Sequence, residues 1–408
     1  MAIDTGPAPP TAAEQPPRRA AAPQLIWLVI AIAVLAGVAA ATGVLAVRGA
    51  SRVELMLPVG AVAVIALIAL GCYRFEWFVL TILAVRSAMD ATSVRPTGAK
   101  LASTVSKAPD AVSSGPAASG LAALFIAMAA IWLLAQHRDG PRTRLTPAEG
   151  AFAAFIAACL LSVVGAVNRV AALTETARIV AAVLMFVVLI RLLTSLAAVY
   201  RCLIACAIGY LAPVLLELLQ VTGRGGDFRA GGYSRVVGTF AHPNTFGFFL
   251  SMFVLMAIAL FRHCPRRVQW LLAGATLVCG GLLVLTYARG PWIAFVLGLI
   301  VIGALQSRQI FIWLVGAIVL VLTAVPSVLQ RVSNVTSGAS ANGGTSNSLA
   351  WRLQYWQQVF GLSHDNPVTG IGLKGTKYLT DQNKAPHNDF LRAYVETGVL
   401  GLLAYVLV

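Results

Sequence analysis

Charge is scarce in this chain. Only 11% of its 408 residues are charged, 59% are hydrophobic, and the mean hydropathy is +0.82. A soluble protein carries about 25% charged residues, so a soluble globular fold is excluded. Acidic residues are the scarcer sign, with 15 Asp and Glu against 30 Lys and Arg, for a net charge of +15. Also missing is the apolar–polar alternation that a transmembrane β-barrel requires. The six cysteines, Cys72, Cys159, Cys202, Cys206, Cys264 and Cys279, all lie in or beside apolar runs. Cys202 and Cys206 stand four apart, but no histidine or carboxylate joins them. They read as buried apolar thiols and not as a metal site. No repeat at solenoid periods is present.

What fills the chain instead is a series of apolar runs of about 17–22 residues, each long enough to cross a bilayer as a helix. The fold class expected is an all-α polytopic membrane protein. About twelve transmembrane helices are expected, near 25–47, 53–72, 75–89, 120–136, 148–167, 178–194, 199–219, 244–261, 268–286, 290–306, 309–326 and 391–408. Residues 1–24, with Pro9-Pro10, Pro16-Pro17 and Arg18-Arg19, read as a disordered cytoplasmic tail. Residues 25–326 hold about eleven of the spans, 327–390 form a long extracytoplasmic loop, and 391–408 are the last span. The last span ends without a polar tail, as a shortened chain would.

Orientation follows from basic residues in tight loops. With the N-terminus inside, the tight inner loops hold ten arginines and the tight outer loops five. The long outer segments near 90–119, 220–243 and 327–390 are also basic. Ordinary solvated surface explains that charge as well as an anionic ligand does. In the last of these segments, Ser333 to Ser348 reads as a mobile polar stretch. An amphipathic helix is then expected near 349–362, with Leu349, Leu353, Trp356 and Phe360 on one face. It would lie on the outer membrane surface or pack on the bundle.

Three segments carry chemistry. They are Arg235-Val-Val-Gly-Thr-Phe-Ala-His242-Pro243-Asn244, then Thr286-Tyr-Ala-Arg289-Gly-Pro291-Trp292, then Pro386-His387-Asn388-Asp389. Each precedes a span that runs outside to inside. Their helix N-termini therefore share the outer face. Such ends present free N–H groups and partial positive charge, which suit a phosphate. Arg235 and Arg289 add forked donors. Taken singly, each arginine is better read as an interfacial anchor or a loop residue; the two beside helix starts on one face strengthen the phosphate reading. His387, beside a helix start, is disfavoured as imidazolium and suits a general base. His242 competes for that role, and either histidine could equally be a cap. Asn388 or Asp389 can cap the last helix. Glu396, inside the last span, can pair with Arg392 at i,i+4. No Asp-x-Asp pair stands in the outer loops to hold a divalent cation.

In order and spacing, these motifs resemble the O-antigen ligase/polymerase superfamily. The likeness also takes in Arg352…Trp356…Pro367-x-x-Gly-Ile-Gly372 and His387-Asn-Asp-x-Leu-Arg-x-x-x-Glu396-x-Gly-x-x-Gly401. It covers residues 200–408. The resemblance implies a metal-independent, inverting glycosyltransferase that takes a polyprenyl-diphosphate-linked glycan at the outer face of the inner membrane. The acceptor would be a glycan, a lipid or a protein. By the same likeness, Arg235 and Arg289 hold the diphosphate and His387 activates the acceptor hydroxyl. Arg352 matches a loop arginine, and His242 and Asn388 join the substrate-binding set. No cofactor, metal or nucleic-acid partner is expected. The rivals are a polymerase in place of a ligase, a transporter or flippase of lipid-linked sugars, and a non-catalytic assembly partner.

Overall fold

The computed structural model describes residues 52–89, 116–139, 146–219, 228–230, 233–240, 242–325, 348–380 and 385–408, with isolated positions at 37, 40, 41, 44, 221, 327 and 328. The expected tail 1–24, nearly all of the expected span 25–47, and the polar stretch 333–347 lie outside these residues. The helices are α1 (Arg52–Tyr73), α2 (Phe75–Met89), α3 (Pro116–Asp139), α4 (Pro147–Ser162), α5 (Arg169–Leu192) and α6 (Leu196–Leu219). A short antiparallel hairpin follows, β1 (Phe228–Ala230) and β2 (Tyr233–Arg235), with Phe228 opposite Arg235. Then come α7 (Pro243–Leu260), α8 (Arg266–Leu285), α9 (Arg289–Leu305), α10 (Gln309–Ala324), α11 (Ser348–Gly361), α12 (Gly375–Leu379) and α13 (Asp389–Leu407). Two units divide the chain. Met1–Tyr73 contains α1, and Arg74–Val408 contains the rest.

Each expected span from 53–72 onward coincides with a helix. Fewer reach full spanning length. Among the described residues six helices are long and apolar enough to cross a membrane: α3, α5, α6, α7 with the turn after it, α8 and α13. Shorter apolar helices are α4, α9, α10 and the Leu57–Tyr73 part of α1. The hairpin was not foreseen. Its strands are three residues each, too short for a period-2 pattern to register.

Within Arg74–Val408, close approach depends on small residues, as van der Waals contact demands between membrane helices. A Cβ on Gly209 of α6 would press on the Leu83 carbonyl of α2. Ser87 Oγ donates to the Gly209 carbonyl at the same crossing. A Cβ on Gly247 of α7 would meet Pro291 of α9. Phe246, Leu250 and Val254 of α7 are buried with Leu282 and Leu283 of α8.

The chain's alternation is visible in its two ends. At one end Arg201 pairs with Glu76 at 2.7 Å, Arg191 with Glu149 at 2.9 Å, and Arg262 donates to Ser307 at 3.2 Å. These contacts join the starts of α2, α4 and α6, the end of α5 and the turns after α7 and α9. The other end gathers the end of α6 and the starts of α7, α9 and α13, with the candidate site residues.

The last span is not a straight rod. Gly398 within α13 has φ 71° and ψ −173°, which breaks the helix. Phe390 and Tyr405 bring their rings to 5.5 Å, whereas a straight helix would separate positions that far apart by about 22 Å. The break frees backbone groups, and residues 367–372 take them up. Ile371 N donates to the Val395 carbonyl and Gly372 N to the Glu396 carbonyl, both at 3.0 Å. Val399 N donates to the Pro367 carbonyl at 2.9 Å. This explains the Pro-x-x-Gly-Ile-Gly spacing: a Cβ on Gly370 would strike the Glu396 backbone, and one on Gly372 would strike Ala166.

Helix α11 matches the expected amphipathic helix in extent but not in its buried face. Leu353 and Phe360 are 51% and 49% exposed, whereas Tyr355 and Val359 are buried against Ile371 and Val395. The apolar seat for α11 is created by the loop docked on the broken helix. No feature local to residues 349–362 marks which of the two apolar faces meets it.

Candidate active site

The site is built on the segment from β2 to α7. Val237 N and Gly238 N both donate to the buried Glu217 carboxylate at the end of α6, the former at 2.9 Å. Thr239 Oγ1 donates to the Ser87 carbonyl at 2.8 Å. Gly238, at φ 56°, lies so close over the Phe246 ring that a Cβ would clash. The turn is thus pinned to three helices. Arg235 enters from β2 and is 8% exposed. Its Nε donates to the Thr286 carbonyl at 2.7 Å and its Nη2 to Asn244 Oδ1 at 3.3 Å. The guanidinium therefore ties the start of α7 to the turn before α9.

His242 is the N-cap of α7. Its Nδ1 accepts from Asn244 N at 3.1 Å, which leaves the proton of the neutral ring on Nε2. Pro243 follows at the first helical position, where a missing N–H costs nothing. Part of His242 reaches solvent, yet the surrounding protein is the first cause that pushes its imidazole down to about 4. The charges of Arg235 and His387 push in the same direction. His242 is thus neutral near pH 7, and it lies within electrostatic reach of both residues.

Arg289 opens α9 after Ala288. Thr286 Oγ1 accepts from Ala288 N at 3.3 Å, and Tyr287 takes a left-handed φ of 46°. Trp292 Nε1 donates to the Leu283 carbonyl at 2.9 Å and closes the turn. Arg289 stands three residues past the carbonyl that holds Arg235.

His387 is exposed, in a left-handed turn of φ 54°, and follows the buried Pro386. Asn388 caps α13, with its Oδ1 accepting from Leu391 N at 3.1 Å. Below this turn lies a partly buried ionic cluster around the buried Glu396. Arg392 Nε donates to Glu396 Oε2 at 2.9 Å and Arg392 Nη2 to Glu175 Oε1 at 3.0 Å. Thr376 Oγ1 donates to Glu396 Oε1 at 2.5 Å, and Arg178 Nη1 to Glu175 Oε2 at 2.9 Å. The expected Arg392–Glu396 pair is present, but α5 and α12 complete it.

The structure brings Arg235, His242 and Asn244 together, with His387 within electrostatic reach of His242; Arg289 follows, three residues on, the Thr286 carbonyl that holds Arg235. Arg352 is half-buried on α11, one helical turn before Trp356. His364 lies against Phe360, ring to ring at 6.0 Å, apart from the cluster. Glu217, Thr286, Trp356 and Glu175 were missed as supports. A lone carboxylate near a span end was the only signal for Glu217.

Residues 274–406 match the family model described as O-Antigen ligase. That segment is similar to the O-antigen ligase family over about a third of the chain's length. The O-antigen ligase match takes in Arg289, Arg352, His387 and Asn388, whereas Arg235 and His242 precede it. No curated protein and no solved structure matches the chain.

Proposed function

We propose that this protein is a membrane glycosyltransferase that moves or polymerises a glycan from a polyprenyl-diphosphate donor onto an acceptor hydroxyl at the outer membrane face. The observation that carries this reading is the gathering of Arg235, His242, Arg289 and His387 at the starts of α7, α9 and α13. His387 takes the proton of the acceptor hydroxyl as its oxygen attacks the anomeric carbon. The bond from that carbon to the diphosphate oxygen breaks, and the lipid diphosphate leaves with the electron pair. Attack opposite the leaving group inverts the anomeric centre. Arg235, Arg289 and the helix ends stabilise the charge that develops on the diphosphate. The diphosphate is already a good leaving group, so the mechanism is written without a metal. Arg352 and Asn388 complete the substrate-binding set.

Ligase and polymerase differ only in the acceptor. The test measures glycan transfer and lipid-donor binding on the same purified variants, offering lipid and glycan acceptors in turn. His387→Ala is expected to lose transfer by about 10²–10⁴-fold and to keep donor binding. Near-normal transfer would move the base to His242. Collapse of donor binding would make His387 a diphosphate contact.

A further inference from the structure

We infer that Trp356 of α11 is a positioning residue for His387, acting through the peptide bond that precedes it. This rests on the reading of His387 as the general base. Trp356 Nε1 donates to the Pro386 carbonyl at 2.6 Å. The peptide unit is planar, so the Pro386 oxygen, the His387 nitrogen and the His387 Cα move as one body. A hydrogen bond that fixes the oxygen therefore fixes the plane from which the His387 side chain departs. The need for such a hold is visible in the backbone. His387 sits at φ 54°, a left-handed conformation that a non-glycine residue adopts only at an energetic cost. Pro386 supplies a rigid φ but no N–H of its own. The Asn388 cap holds the residues after His387. Trp356 holds the one before.

The donor is itself on a firm base. Tyr355 and Val359, on either side of Trp356 in α11, are buried against Ile371 and Val395. Ile371 is in turn bound to the broken part of α13. The indole N–H is a donor only, so its loss cannot be covered by a change of role. Tyr355 offers an internal comparison. Its hydroxyl bonds Thr380 Oγ1 at 2.9 Å, anchoring the same helix to a different segment.

The experiment uses the purified full-length protein with lipid-linked donor and measures kcat, KM for donor and Tm. Trp356→Phe keeps an aromatic ring and removes the N–H. It is expected to lower kcat about 5–10-fold, as loss of one hydrogen bond implies, with KM and Tm nearly unchanged. Tyr355→Phe is expected to leave kcat near wild type. In a His387→Ala background, Trp356→Phe is expected to cost nothing further, because a residue acting only through His387 is then silent. Wild-type kcat in Trp356→Phe overturns the inference. So does an equal loss in Tyr355→Phe, or an additive loss in the double variant. Should Trp356→Phe not fold, a benzothiophene analogue of Trp at 356 removes the N–H alone, and the same outcomes apply. Near-normal transfer in His387→Ala overturns the reading of His387 and this inference with it. Loss in His387→Ala beside normal rates in Trp356→Phe overturns this inference alone.

Discussion

At the scale of single residues, the two site arginines differ in how the protein already uses them. Arg235 spends Nε and Nη2 on Thr286 and Asn244. Arg289 stands at the first position of α9, where the proposed mechanism has it hold the donor diphosphate. Arg289→Lys keeps the charge but loses the forked contact. It is expected to lower kcat/KM for the lipid donor about tenfold or more, and an unchanged value would reduce Arg289 to a point charge. His242 makes a pH prediction. Its folded-state proton affinity is pushed down to about 4, whereas an unfolded histidine titrates near 6.5. The unfolded chain takes the proton first, so stability falls as pH drops from about 6.5 toward 4 and levels off below. His242→Asn retains a cap acceptor and should flatten that part of a Tm-versus-pH curve in detergent; an unaltered slope assigns the effect to other groups. His242, Arg289 and His387 were legible in the sequence because polar residues are rare in so apolar a chain. The supports were not. Arg235 finds its carbonyl 51 positions away and Trp356 finds its own 30 away, and nothing local announces either.

At the scale of elements, helix α13 decides most. Gly398 has a backbone conformation essentially reserved for glycine, and a Cβ there would strike the Val368 backbone. Gly398→Ala is expected to destabilise by about 3 kcal/mol or more, seen as a lowered Tm and a loss of monodisperse protein. Gly316→Ala in α10, where a Cβ meets nothing, serves as the neutral control. Equal behaviour of the two would show that the helix straightens without penalty. Apolar periodicity placed a span at 391–408 correctly but could not show the break. A single glycine inside an apolar run carries the same signal whether it packs, bends or does nothing. The break becomes visible only with residues 367–372, which satisfy the carbonyls it frees.

At the scale of the whole molecule, the alternation of helices sorts the Arg74–Val408 unit into an end that bears the candidate site and an end joined by the Arg201–Glu76 and Arg191–Glu149 pairs. Val167, exposed in the turn before α5, belongs with the first, and His263, exposed after α7, with the second. In a Cys-less background, Val167→Cys and His263→Cys should react on opposite sides with an impermeant thiol reagent, Val167→Cys from outside. Labelling of both from one side would sink the shared-face argument. The sequence by itself determined the membrane class, the helix positions from residue 53 onward, the three polar segments and the Arg392–Glu396 pair. These follow from hydropathy and helical spacing, both local properties of a chain in lipid, where helices must satisfy their own backbones. The tertiary structure alone decided which face of α11 is buried, where α13 breaks, and that Glu217, Thr286 and Trp356 hold the turns bearing the reactive side chains. Each of these rests on a side-chain or backbone contact far away in sequence, and only the folded chain makes it.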